Sequence, residues 1–270
     1  MEYCLMPVKL NGSTSGSVTI DAPAVAGTNT LTLPAVTDTL VGLAATQTLT
    51  NKSVALAAGT ASVAPFNLTS GTNLTTATAG AIEYDGKVFY GTPQGAQRGV
   101  IPGMQFFRLE SNLAGANATG AQNTFGVSVT LSTSTIYAFE TYFIFSKTAG
   151  ATSHAVSLGF GGSATVNNIL YGGLQLGLSS SFSSGASSPS GTFDSATASA
   201  TQLVSGIASA AYSLRLYLRG TVSINGGGTF TPQYTLSAAP GGAYSTMANS
   251  YFLIYPIGAS GSNVNVGTWA

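Results

Sequence analysis

The sequence predicts an all-β protein: an extended N-terminal arm or shaft followed by a C-terminal two-sheet β-sandwich, jelly-roll-like in strand count and spacing. Three observations predict it. Leu214, Leu216 and Leu218 alternate with Arg215, Tyr217 and Arg219, and Val222 and Ile224 continue the apolar row. That is the period of a strand with one buried face. Turn residues punctuate the chain at Asp85-Gly86, Asn225-Gly226-Gly227-Gly228 and Ala239-Pro240-Gly241-Gly242. No segment carries the 3.6-residue apolar pattern of a helix.

Composition narrows the class further. Of the 270 residues, 44% are apolar and only 6% are charged, against about a quarter charged in an ordinary globular protein. Aromatic and β-branched residues are too frequent for a disordered chain. The formal net charge is zero, so there is no electrostatic footprint for nucleic acid or an anionic membrane surface. After Arg219 no Asp, Glu, Lys, Arg or His occurs. Strands without charged guards predict that part of this surface is covered by another subunit.

Residues 1–80 read as the arm. Gly16 to Ile20, Thr30 to Pro34, Asp38 to Leu43 and Thr46 to Val54 are short strand-like pieces set in small polar residues. Each offers few large apolar side chains, so one chain buries too little here to offset its ordering entropy. Several identical chains could share an axis built from Ile20, Leu31, Leu33, Leu40, Leu43 and Leu49. Neither heptads nor a G-X-Y run is present, which excludes a coiled-coil or collagen stalk.

Residues 81–103 read as a hairpin and linker. Ile82-Glu83-Tyr84 and Lys87-Val88-Phe89-Tyr90 flank the Asp85-Gly86 turn, and Gly91 to Gly103 is rich in Gly and Pro.

Residues 104–270 read as the sandwich. Met104 to Leu109 is a strand, and Val127, Val129 and Leu131 alternate with small polar residues. Ile136 to Phe145 is apolar and aromatic on both faces, as in mid-sheet. Ala155 to Phe160, Ile169 to Tyr171, Leu174 to Leu178 and Ala200 to Val204 follow. Ser179 to Ser199 reads as an exposed loop in which Phe182 and Phe193 have packing partners. Thr229 to Leu236 is the return strand after Leu214 to Ile224. Tyr251 to Tyr255 is apolar throughout and reads as covered on both faces.

Few residues carry chemistry. His154 is the sole histidine and no G-x-S-x-G elbow exists, so a serine triad lacks its assembled parts. Gly159-Phe160-Gly161-Gly162-Ser163-Ala164 matches a dinucleotide fingerprint in form, but no helix pattern follows and the next acid, Asp194, lies too far on. Glu83 and Asp85 have the residue types of a glycosidase pair but flank a turn, where acids are ordinary. Cys4 is the only cysteine, leaving no intrachain disulfide and no cysteine metal site. No catalytic, metal or cofactor residues are expected. Tyr171, Phe182, Phe193, Tyr244 and Trp269 are candidate contacts to a glycan or another subunit, since aromatic faces stack on sugar rings. Core packing is the competing reading for them. Trp269 reads as an anchor of the last strand. MEYCLMPVKLNG lacks the pattern of a secretory signal, and no apolar run approaches the ~20 residues of a membrane span.

Two regions resemble a known family. Leu10 to Gly27, leading into Leu31-Thr32-Leu33-Pro34, is similar to the N-terminal module of tailed-bacteriophage tail fibres and related virion appendages. Thr48-Leu49-Thr50-Asn51-Lys52 and the Tyr84-Asp85-Gly86 hairpin resemble segments recurring in those fibres. Ser237 to Gly242, Ala248 to Phe252 and the closing Val266-Gly267-Thr268-Trp269 resemble a C-terminal β-domain of phage structural proteins. The resemblance implies a homotrimer on a phage particle. Its arm would bind other virion proteins at the tail, baseplate or capsid, and its β-domain would meet a host surface glycan. It implies release by lysis, no nucleic acid, no membrane insertion and no enzyme. A capsid decoration or head-fibre protein is the alternative, and a glycan depolymerase a remote one.

Overall fold

A computed structural model describes residues 8–20, 53–177 and 191–269, and among these it contains eighteen β-strands and no helix. In chain order they are β1 (Val8–Asn11), β2 (Ser17–Ile20), β3 (Ile82–Tyr84), β4 (Phe89–Gly91), β5 (Gly99–Ile101) and β6 (Gln105–Arg108). Next come β7 (Leu113–Ala114), β8 (Gln122–Asn123), β9 (Val129–Leu131), β10 (Thr135–Lys147), β11 (His154–Gly161) and β12 (Thr165–Gly177). The last are β13 (Gly191–Ser195), β14 (Thr201–Ile207), β15 (Tyr212–Gly226), β16 (Gly228–Leu236), β17 (Ser245–Thr246) and β18 (Tyr251–Ala259).

The chain divides into two units, Met1–Thr60 and Ala61–Ala270. In the first, β1 and β2 form an antiparallel hairpin. Val8 lies opposite Ile20 and Leu10 opposite Val18, and all four side chains are at least half exposed. An isolated two-stranded ribbon is marginal in water, and among the described residues nothing covers its apolar pairs. Of the proposed axis residues, only Ile20 is described. Leu31, Leu33, Leu40, Leu43 and Leu49 lie outside the described residues.

In the second unit, strands β9 to β16 are paired like one long ribbon folded back on itself. β12 pairs with β13, β11 with β14, β10 with β15 and β9 with β16, all antiparallel. Successive pairs fall on alternate sheets. Rolling the ribbon brings β12 against β15 and β11 against β16. That winding is a jelly roll. The larger sheet runs β13-β12-β15-β10, then continues through β18 to β6 along one half of β10 and through β17 to β7 along the other. The smaller sheet runs β14-β11-β16, with β8 and β9 side by side on the far edge of β16.

Alternation in β10 and β15 builds the core. Thr135, Tyr137, Phe139, Thr141, Phe143, Phe145 and Lys147 all point inward and are buried, while the residues between them are half-buried. Leu214, Leu216 and Leu218 are fully buried beside them. The second sheet answers with Val156, Leu158, Phe160, Phe230 and Tyr234. Phe160 stacks on Phe230 at 4.7 Å and meets Phe139 edge-on at 5.3 Å. Such pairs add about 0.5–1.5 kcal/mol beyond the area they bury.

Several expectations change. The N-terminal unit ends at residue 60, not near 80, and Gly91 to Gly103 is more than a linker, because β5 pairs with β4 to give β3-β4-β5. The two pieces read at Ile169 to Tyr171 and Leu174 to Leu178 fall in one strand, β12, which runs to Gly177 and makes twelve pairings with β15. In the stretch expected as a loop, Gly191 to Ser195 is strand β13. β18 is buried on one face only: Phe252 and Ile254 are inside, while Tyr251, Leu253 and Tyr255 are half-buried on the other face. Its apolar run reflects an outer surface that is itself apolar.

Phe143 is 0% exposed and packs edge-on against Phe125 and Phe145 at 5.9 and 5.0 Å. We expect Phe143→Ala to cost about 3–5 kcal/mol, read from the denaturation midpoint. Leu170→Ala, at a 61% exposed side chain, should cost less than about 0.5 kcal/mol.

Candidate interaction surface

The outer face of the larger sheet is assembled by register. One row of neighbouring positions reads Arg108, Tyr251, Tyr142, Tyr217, Leu174, Thr192 across β6, β18, β10, β15, β12 and β13. The next row reads Phe106, Leu253, Glu140, Arg219, Gly172, Asp194. Three tyrosines therefore stand on adjacent strands beside one carboxylate.

Glu140 organises that centre. Tyr251 Oη donates to Glu140 Oε1 at 2.9 Å, and the Phe106 ring stacks on Tyr251 with centroids 5.5 Å apart. Burial first, then the bond and charge of Glu140, push the Tyr251 phenol up to about 12. Hydrogen bonding to the same carboxylate is the leading cause that raises Tyr217.

Toward β13 the face opens into a groove of about 980 Å³. Its floor is Gly172. A Cβ there would stand 2.1 Å from Asp194 Oδ1, so the absent side chain makes room for the Asp194 carboxylate to lie over β12. Along β12 the notch lies between Leu170 and Leu174, 61% and 37% exposed. Across it lie Arg219 on β15 and Asp194 on β13, with no ion pair between them.

At the opposite edge, β6 pairs only with β18 among the described residues and is exposed at all four positions. Beside it an apolar groove of about 350 Å³ runs between the sheets, lined by Phe106, Phe107, Phe125, Val127, Val129 and Phe252, among others. An exposed apolar edge invites pairing with another chain.

The five aromatic candidates separate. Tyr171 and Tyr244 are each 1% exposed and belong to the core, so neither touches a glycan or a subunit. Tyr171 packs edge-on against Phe160 at 5.1 Å, and Tyr244 Oη lies 2.8 Å from His154 Nε2. Inward parity on β12 places Tyr171 there. Phe193 is half-buried against the same core, with its ring near Tyr171. Phe182 lies outside the described residues. Trp269 is 77% exposed; it anchors no strand, because β18 ends at Ala259. The tyrosine row was missed in the sequence because it exists only across strands. Tyr217 was visible on an outward face, but its neighbours at 142 and 251 depend on register.

The acids considered for catalysis hold structure. Glu83 accepts from Arg98 Nε at 2.8 Å and from the Leu74 amide at 2.6 Å. Asp85 accepts from the amides of Lys87 and Val88 and from Tyr90 Oη, which lies 2.8 Å away. Those bonds outweigh burial and hold its carboxyl below the usual value, and burial with the Asp85 bond pushes Tyr90 up to about 12. His154 is buried between the Thr152 carbonyl and Tyr244. Lys147, also buried, donates to the carbonyls of Gly150 and Ser209 at 2.5 Å each and lies 5.8 Å from the Tyr244 ring centre. Among the described residues no three His, Cys, Asp or Glu side chains cluster to hold a metal.

Tyr90 and Tyr251 are raised in the fold from an ordinary value of 10.0. The stabilisation from their neutral forms is complete below pH 10 and is lost as pH rises through about 12. We expect the melting temperature to fall across that window, with phenolate absorbance lagging behind free tyrosine. Glu140→Gln should move the Tyr217 and Tyr251 phenols back toward their ordinary value, Tyr251 only in part because burial also raises it.

No protein-family model and no curated protein matches the sequence significantly. Among solved structures, the VP2 subviral particle of infectious bursal disease virus matches with 10% identity and a TM-score of 0.19, over 68% of this chain. The chain spans about half (49%) of the length of that VP2 chain. That score is far below a shared fold.

Proposed function

We propose that the protein is a bacteriophage virion structural protein, a trimeric tail fibre. Its N-terminal arm binds the particle, and its jelly-roll domain meets the host surface. The observation that carries this reading is the uncovered apolar surface of a nearly uncharged chain. The edge strand β6 presents Phe106 at 55% exposure beside an open apolar groove, and Val8, Leu10, Val18 and Ile20 stand uncovered on the N-terminal hairpin. Monomeric proteins guard such edges with charge, proline or a covering element. Identical copies supply the cover instead, and a homotrimer closes the contact without leaving a free end. The sequence resemblance to phage appendages supplies the particle, and the jelly roll is compatible with that role without proving it.

The reading treats the protein as a binder rather than an enzyme. Weak contacts repeated three times give useful avidity, and a fibre tip needs no turnover.

Light scattering on the full chain should return three times the 27.1 kDa chain mass. A monodisperse monomer at micromolar concentration would sink the proposal. Phe106→Glu, which places a charge on the exposed edge, should weaken association at least tenfold while leaving the circular dichroism spectrum unchanged. Labelled antibody on intact phage particles should mark the tail. Label over the head would favour the capsid-decoration alternative.

A further inference from the structure

We propose that the β1–β2 hairpin of one copy adds to the β6 edge of the next copy and closes the apolar groove beside it. The proposal rests on the reading that identical copies cover both surfaces, and it assigns which surface covers which.

The receiving site is a flank of the sandwich where both sheets end. Among the described residues β6 pairs with β18 alone and β9 with β16 alone. The groove runs between these two edges, from Phe106 and Phe107 to Val127 and Val129. Phe106, Phe107 and Val127 are 55%, 37% and 44% exposed. The β6 backbone is open as well. Leu109 donates to the Ser250 carbonyl and accepts from the Asn249 amide. Backbone direction alternates along an antiparallel ladder, so the N–H and C=O groups of Phe106 and Arg108 point away from β18, along the free edge. Main-chain donors and acceptors beside an apolar groove are what an added strand requires.

The hairpin has the matching form. Val8, Leu10, Val18 and Ile20 share one face, and Lys9, Asn11, Ser17 and Thr19 share the other. That alternation belongs to strands with one side buried, yet all eight residues are exposed. Each hairpin strand has four residues, as does β6. β1 carries Lys9 and β2 carries no charge. Lysine guards a free edge, so β2 is the strand that joins β6, with β1 outermost. Val18 and Ile20 then continue the inward side of β6, where Phe107 meets Phe125 edge-on. The polar face of the hairpin continues the outer side.

Symmetry favours this pairing over β6 against β6. The latter is two-fold, stops at a dimer and leaves the hairpin uncovered. Hairpin against groove is a head-to-tail contact, and three of them close a ring.

Two experiments on the full chain test the docking. The first uses Thr19→Cys with Met104→Cys on a Cys4→Ser background, both at exposed positions, and a short bismaleimide. A denaturing gel should show three chains joined, whereas each single-thiol variant should stay a single chain. A link formed only within one chain overturns the proposal, since the hairpin would then cover its own edge. The second is hydrogen exchange with Leu10→Glu and Val18→Glu, each at a side chain more than half exposed. Both variants should weaken association about tenfold or more and speed exchange in the peptide that holds the Phe106 and Arg108 amides, with the circular dichroism spectrum unchanged as the control. Exchange there that is as fast in the unsubstituted chain as in both variants overturns the proposal. A trimer that ignores both variants also overturns it and leaves the fibre reading standing. A monomer whose β6 exchange depends on Leu10 overturns both.

Discussion

The thirteen-residue antiparallel register between β10 and β15 is the constraint on which the rest of the protein depends. It aligns Phe139, Phe143 and Phe145 with Gly220, Leu216 and Leu214 on one face, and Glu140 and Tyr142 with Arg219 and Tyr217 on the other. Because side chains alternate, a slip of one residue would exchange the two faces. The core would then lose its aromatic layer, and the tyrosine row would vanish from the surface. One pairing thus sets both the stability of the sandwich and the chemistry of its outer face. Gly220 marks how tight the inner side is: a Cβ there would stand 2.3 Å from the Leu170 carbonyl oxygen and 2.5 Å from Tyr171 Cβ.

Several of the few ionised groups have a strong local role. Arg98 and Glu83 tie the small β3-β4-β5 sheet to the backbone at Leu74. Lys87 Nζ reaches the Thr133 carbonyl at 2.9 Å, linking that sheet to the loop before β10. Lys147, at the inward end of β10, satisfies carbonyls from two loops at once. A buried ammonium is costly unless its donors are all used, and here backbone oxygens use them. Electrostatics in this chain therefore closes loops rather than coating the surface.

Part of the fold could be read from the sequence because its longest strand, β15, follows a period of two. Leu214, Leu216 and Leu218 fixed the inner face of β15, and the Asp85-Gly86 turn fixed β3 against β4 with Gly86 at φ 87°. Lys147 shares the inward parity of Phe143 and Phe145, a placement that its charge conceals in the sequence. Three things were not legible. Short edge strands such as β7, β8 and β17 have two residues each and carry no periodic signal. Parity distinguishes the two faces of a strand but does not say which one is the core, so Tyr171 and Tyr244 looked available. The outer site is made of residues far apart in sequence, joined by pairings that no local pattern contains.

The two ends of the larger sheet have opposite characters, and the winding explains why. β13 is at the inner turn of the rolled ribbon, paired among the described residues with β12 alone, and its outward positions carry Thr192 and Asp194. β6 lies outside the ribbon, added through β18, and is apolar at Phe106 and Phe107. An edge carrying two phenylalanines loses free energy by staying wet, at about 25 cal/mol for each Å² of apolar surface, and gains it by meeting another apolar surface. The polar and the apolar end are thereby separated along one sheet, with the Glu140 tyrosine centre between them and the β10–β15 register holding both in place.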